Sequence, residues 1–154
     1  MTRPAILDAF ASHEFLQSLD DRCLMDLASG ASPFTRAAGE YLTRAGETSD
    51  ALYLIQSGTV LVGSESADGE LAPLMTVGPG GVVGCSWVVP PYDSKFTSRA
   101  VGPVHGLVID AAWLRDRCER NHELGYHLHR EINADLTRRL VASQEQMAGA
   151  PEPA

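Results

Sequence analysis

Apolar positions change their spacing twice along this chain, and each change marks a change of structure. Between Ile6 and Ser29 they fall mostly three to five residues apart, at Ile6, Phe10, Phe15, Leu16, Leu19, Leu24 and Leu27. That spacing predicts two or three short helices, with Ser12 and Asp20 placed to cap them. From Ala31 to Val77 the runs become short and alternating: Phe34 to Ala37, Tyr41 to Thr43, Leu52 to Ile55, Thr59 to Val62 and Leu74 to Val77. Gly39-Glu40, Gly46-Glu47, Ser57-Gly58, Asp68-Gly69 and Gly78-Pro79-Gly80 separate them at turn spacing, so they predict strands of one antiparallel roll. Val101 to Ile109 adds a further strand, and Asp110 is placed to cap the helical sequence that follows. From Glu123 to about Met147, Leu124, Leu128, Ile132, Leu136 and Leu140 recur every four residues. Such a stripe turns slowly round its helix, covering the roll first and then reaching toward a second subunit.

The pattern divides the chain into N-terminal helices over 1–30, a β roll over 31–110 and C-terminal helices over 111–147. Residues 148–154 lack any apolar period and are expected to form a disordered tail. At 154 residues the chain suits one domain, which buries about 68–70% of its unfolded surface at this size. Many short strands with frequent turns suggest a compact sandwich or barrel.

Charge and cysteine content narrow the partners. A net charge of −8 repels a nucleic-acid backbone, and the longest apolar runs stop well short of the roughly 20 residues of a membrane span. The first residues meet Asp8 after only Ile6-Leu7, which is no secretory signal, so a cytoplasmic location is expected. Cys23, Cys85 and Cys118 are odd in number and far apart, which points to reduced thiols. Paired catalytic carboxylates, a nucleophile elbow and a P-loop are all missing, so the chain reads as a non-enzyme.

The stretch richest in chemistry runs from Gly80 to Ala100. Gly80-x-x-x-Gly84-Cys85-Ser86-Trp87 leads through Pro90-Pro91-Tyr92 to Ser94-Lys95-Phe96-Thr97-Ser98-Arg99-Ala100. Together with Phe15-Leu16-x-x-Leu19, Ala38-Gly39-Glu40-Tyr41-Leu42, Gly46-Glu47 and Leu52-Tyr53-Leu54-Ile55-x-x-Gly58-Thr59-Val60, it resembles the cyclic nucleotide-binding domain. Catabolite activator-type regulators, protein kinase A regulatory subunits and nucleotide-gated channels share that domain. The resemblance covers about Phe15 to Leu140. It implies an α+β, mainly β fold: a jelly-roll-like, double-stranded β-helix with N-terminal helices and a long C-terminal helix. It also implies a phosphate-binding cassette over 80–100.

In that family the cassette opens Gly-Glu, the glutamate taking the ribose hydroxyl, and closes with an arginine that pairs with the cyclic phosphate. Here Cys85 follows Gly84 at the glutamate position, and Ser94 falls on the arginine with Lys95 beside it. A thiol is a poor acceptor and a serine carries no charge. Loss of a charge-assisted pair in such a pocket costs about 2–5 kcal/mol, or ~30- to 3,000-fold in affinity. Pro90-Pro91 stops the short apolar helix usual at this place. A bacterial branch of the family carries a Trp and a Pro-Pro-Tyr in the same way.

Two readings follow. In the first the chain is a stand-alone sensor, binding a small ligand, a cyclic nucleotide or another small anion, through Gly80, Gly84, Cys85, Ser86, Trp87, Tyr92, Ser94, Lys95, Phe96 and Thr97. Trp87 and Tyr92 stack on a ring while Lys95 and backbone amides hold the anion. In the second, Trp87 and Tyr92 plug a vacated pocket, and the fold serves as a ligand-free interaction module. Either version predicts a homodimer, or a protein partner, docking on Leu128, Ile132, Leu136 and Leu140. The few residues after that helix leave no room for a helix-turn-helix, so direct DNA reading is not expected. Cys118-x-x-x-His122 with His127 and His129 has the residue types of a zinc site, but Asn121 and Gly125 suggest a helix break between them. Polar helix surface with a buried Cys is the preferred reading, and no metal is expected. Cys85 reads either as a thiol activated by the neighbouring amides or as a small buried residue, the latter being preferred.

Overall fold

The structure, a computed structural model, describes residues 2–149. Helix α1 (Arg3–Ser12) starts from Thr2, whose hydroxyl accepts from the Ala5 amide at 3.3 Å, with Pro4 in its first turn. Ser12 is not the cap expected of it: its hydroxyl lies against the Asp8 and Ala9 carbonyls inside α1. His13 caps the 3₁₀ turn Glu14–Leu16 instead. Asp20 does cap α2 (Asp21–Ala28), accepting from the Cys23 amide at 2.9 Å.

Eight strands follow: β1 (Ala31–Arg36), β2 (Tyr41–Thr43), β3 (Ala51–Ser57), β4 (Val60–Glu65), β5 (Leu71–Val77), β6 (Val82–Val83), β7 (Thr97–Ala100) and β8 (Val104–Asp110). They form two antiparallel four-stranded sheets, ordered β1-β8-β3-β6 and β2-β7-β4-β5. The expected strand over Val101 to Ile109 starts later, at Val104, because the chain turns at Val101 to Pro103 between two separate strands, β7 and β8. Strand β6, only two residues long, was hidden in the glycine-rich stretch.

Period-2 alternation explains how the unbroken apolar run of β3 is buried. Leu52 and Leu54 face the helices, while Tyr53 and Ile55 face the second sheet. Val82 and Val83 divide the same way, as do Leu107 and Ile109 against Val104 and Val108. The first sheet therefore carries two cores, one between the sheets and one under the helices.

Helix α3 (Ala111–Arg120) is capped by Asp110, which accepts from the Trp113 amide at 2.9 Å. The break before α4 (His122–Ala148) falls on Asn121, whose side chain accepts from the Leu124 amide and donates to Asp26 at 2.8 Å. Gly125 lies inside α4 and seats that helix on Cys118: a Cβ there would stand 3.0 Å from the Cys118 carbonyl oxygen. Leu124, Leu128 and Ile132 are fully buried, whereas Leu136 and Leu140 are exposed. Of the four residues expected to dock on a partner, Leu128 and Ile132 are thus corrected to the chain's own core. The tail expected from 148 starts within α4, where Ala148 is still helical; residues 150–154 lie outside the described residues. No described helix is long and apolar enough to cross a membrane.

Candidate ligand-binding site

The stretch from β6 to β7 is a loop held at both ends and in the middle. Gly84 makes the first turn at φ 92°, a left-handed conformation, and a Cβ there would run into the Ala51 carbonyl. The 3₁₀ turn Cys85–Val88 follows and stops before Pro90-Pro91, as the prolines require. Beyond them the loop is laced to residues 46–49. The Ser49 amide donates to Tyr92 O at 2.7 Å, Gly46 to Ser94 O at 2.8 Å, and Ser94 in turn to Glu47 O at 2.8 Å.

A cavity of about 610 Å³ opens beside this loop. Gly84, Cys85, Ser86, Ser94, Lys95 and Phe96 form one wall, and Thr43, Val62, Leu74, Met75 and Ser98 form a floor on the second sheet. Leu136, Arg139, Leu140 and Ser143 of α4 form the roof. Six of the ten residues expected at a ligand are therefore brought together.

The other four are placed elsewhere. Gly80 holds a turn at φ 87° whose amide donates to Ile55 O at 3.0 Å. Thr97 is buried, its hydroxyl accepting from the Ala45 amide at 3.1 Å. Trp87 is fully buried and stands edge-on to His129, its ring centroid 5.6 Å away, on the side of the loop turned toward α3 and α4. Tyr92 lies beneath the Arg115 guanidinium, 4.0 Å from the ring centroid, and Arg115 also donates to Trp87 O at 3.1 Å. Trp87 and Tyr92 neither stack in the cavity nor plug it. They border a separate groove of about 680 Å³ with Arg115, His122 and His129.

Arg139 is the functional candidate that the cassette pattern did not reveal. It donates to Val82 O at 2.7 Å, and its Nε stands 2.9 Å from Asp135. Its position three residues after Leu136 puts both on one helix face, which was the available signal. Lys95 is exposed at the rim, where Asp93 also lines the cavity.

The profile of the family described as "Cyclic nucleotide-binding domain" matches residues 34–121, more than half of the chain. The chain belongs to that family. Among solved structures, a Geobacter metallireducens protein described as cyclic nucleotide-binding is 26% identical, with a TM-score of 0.77 over 91% of this chain and 98% of its own. The N-terminal domain of a Streptomyces coelicolor transcriptional regulator is 25% identical, with a TM-score of 0.66 over 96% of this chain and 100% of its own. The regulatory subunit of a cAMP-independent protein kinase A from Trypanosoma cruzi, bound to guanosine, is 23% identical, with a TM-score of 0.64 over 82% of this chain and 49% of its own. The last likeness shows the fold alone. No curated protein is significantly similar in sequence.

Burial pushes the Cys85 thiol up to about 11, with Arg139 opposing and Asp135 adding to the shift, so the neighbouring amides do not activate it. Cys23 and Cys118 are pushed up to about 11 by the same cause. Cys118 lies buried under Gly125, and the Asn121 break separates it from His122. Among the described residues, the metal-type side chains that do converge are Asp20, Cys23 and Glu123, at the foot of α2.

Proposed function

We propose that this chain is a regulatory sensor, non-catalytic, in which a small ligand in the cavity beside residues 80–100 is read out by α4. The observation that carries this reading is the shared wall: one space of about 610 Å³ is bounded by the loop on one side and by Leu136, Arg139 and Leu140 on the other. That volume lies within the about 300–1,000 Å³ usual for small-molecule sites. Whatever fills it touches both elements, and differential contact is what a population shift requires. A ligand-free module with a plugged interior is disfavoured because Trp87 and Tyr92 turn away from the space.

The usual cyclic nucleotide contacts are degenerate in this reading, with Cys85 and Ser94 where the family uses a glutamate and an arginine. Output passes through a partner, either a second copy or another protein, that docks on the exposed outer half of α4 at Leu136, Leu140 and Val141. Differential scanning fluorimetry with cyclic AMP, cyclic GMP, adenosine and guanosine, paired with hydrogen exchange on α4, tests the sensor. A binder present at 100 times its Kd adds about 2.7 kcal/mol to stability. It is expected to slow exchange over 133–147. No midpoint shift with any of the four, and unchanged exchange, would overturn the reading.

A further inference from the structure

We infer that the cavity selects an uncharged, largely apolar ring compound over an anion such as a cyclic phosphate. This rests on the sensor reading and adds the charge class of what the site takes.

The argument is a count of the charges around the space. Two cations reach it, Arg139 and Lys95. Arg139 is already engaged at two points: its Nη2 donates to Val82 O at 2.7 Å, and its Nε faces the Asp135 carboxylate at 2.9 Å. Asp135 is itself mostly buried, with 16% of its side chain exposed, so the pair sits where water screens it poorly. Asp135 offsets the charge of Arg139 beside the cavity, and it also meets Arg138, whose side chain is 66% exposed to solvent, at 3.6 Å. Lys95 is exposed at the rim and strongly hydrated, so its charge is largely screened by solvent.

The deep polar atoms are hydroxyls. Ser98 and Thr43 already bond to each other at 2.7 Å, Ser98 also accepts from the Thr43 amide at 3.1 Å, and Thr43 lies 3.2 Å from Phe96 O. Ser94 is buried on the loop wall and brings a hydroxyl but no charge. Ser86, Ser143 and Gln146 add uncharged polar groups, and the larger part of the surface is apolar, with Val62, Leu74, Met75 and Phe96 on one side and Leu136 and Leu140 on the other. An anion entering here sheds water in a space whose inner cation, Arg139, is already bonded to Val82 O and faces Asp135, while Lys95 stays with the solvent at the rim, so the exchange is unfavourable. An uncharged ring loses little on desolvation and gains apolar contact on both faces.

Matched ligand pairs isolate the charge, because adenosine and cyclic AMP, or guanosine and cyclic GMP, differ chiefly in the phosphate. Calorimetry of the full chain is expected to give nucleosides an affinity at least about 30-fold above their cyclic phosphates. The neutral fluorophore N-phenyl-1-naphthylamine should bind and be displaced by the preferred nucleoside. Ser94→Arg should reverse the order by adding the missing cation. Because an arginine at that buried position can impair folding, Asp135→Asn, which keeps the size of the side chain and removes only its charge, serves as a second variant. Removing the acid frees Arg139, so cyclic phosphates should gain several-fold while the nucleosides hold constant. Cyclic phosphates binding the wild-type chain as tightly as nucleosides would overturn the charge inference and leave the sensor reading standing. So would an Asp135→Asn chain with unchanged preference. Failure of every ligand, the fluorophore included, would remove the sensor reading and this inference with it.

Discussion

Gly84 and His13 show how single residues fix the backbone, one at the start of the loop and the other at the end of β3. At Gly84 a side chain would meet both a left-handed backbone and the Ala51 carbonyl, and neither can be relieved by a rotamer change. Gly84→Ala is expected to cost about 2–3 kcal/mol, read as a lower urea midpoint at unchanged m-value. His13 is buried and donates from Nε2 to the Ile55 carbonyl at 3.0 Å, while its Nδ1 accepts from the Phe15 amide. Burial holds its pKa below the ordinary 6.5, against the opposing pull of Ile55 O and Glu14. The unfolded chain therefore takes up a proton at higher pH than the folded one. His13 stabilises fully above about pH 6.5, and that contribution is lost as pH falls from there toward the folded pKa. Thermal midpoints should drop between pH 7.5 and 5.5, and His13→Gln should flatten that segment of the profile. Cys85, with its thiol near 11, should react only slowly with iodoacetamide at pH 8.

At the scale of elements, α4 is one helix with two environments. Its inner turns bury Leu124, Leu128 and Ile132 under the first sheet, and its outer turns carry Leu136 and Leu140 over the cavity. Leu128→Ala should cost about 2–5 kcal/mol in stability, whereas Leu140→Ala should stay within about 0.5 kcal/mol and change ligand binding instead. Denaturant melts of the two variants, run beside ligand titrations, separate these outcomes. The four-residue spacing in the sequence makes the helix legible, but it assigns all its leucines to one role. What divides them is where the sheet ends, a long-range fact that local spacing does not carry. The same holds for the loop. Its glycines and prolines mark its bends, yet whether Trp87 faces the cavity or α3 depends on Arg115 and His129, which come from elements distant in the chain. Strand β6 has no local signature for a related reason: two residues are too short for alternation to register, and only pairing with β3 makes them a strand.

On the scale of the whole molecule, the exposed end of α4 suits a second copy. Leu136, Leu140 and Val141 are all more than 40% exposed. Light scattering after size exclusion should find a dimer at micromolar concentration and a monomer for Leu140→Asp; a wild-type monomer at every concentration would remove the interface. The antiparallel roll and its flanking helices are legible in the sequence because most of the strands have their own turn signals and each helix its own spacing; β6 and β7, inside the glycine- and proline-rich stretch, are the exceptions. The roof over the cavity was not, since it joins residues about fifty positions apart.

Asn121 gives α4 a mechanical property. The helix is pivoted near that cap and packed into the core as far as Ile132, after which about 24 Å of rod, at 1.5 Å per residue, runs to Ala148 with the Arg139 bond to Val82 O as its tether. With that tether released, a tilt of about 10° at Ile132 carries the free end about 4 Å. A displacement of less than an ångström beside Leu136 is thus magnified several-fold along the lever before it reaches whatever grips the other end.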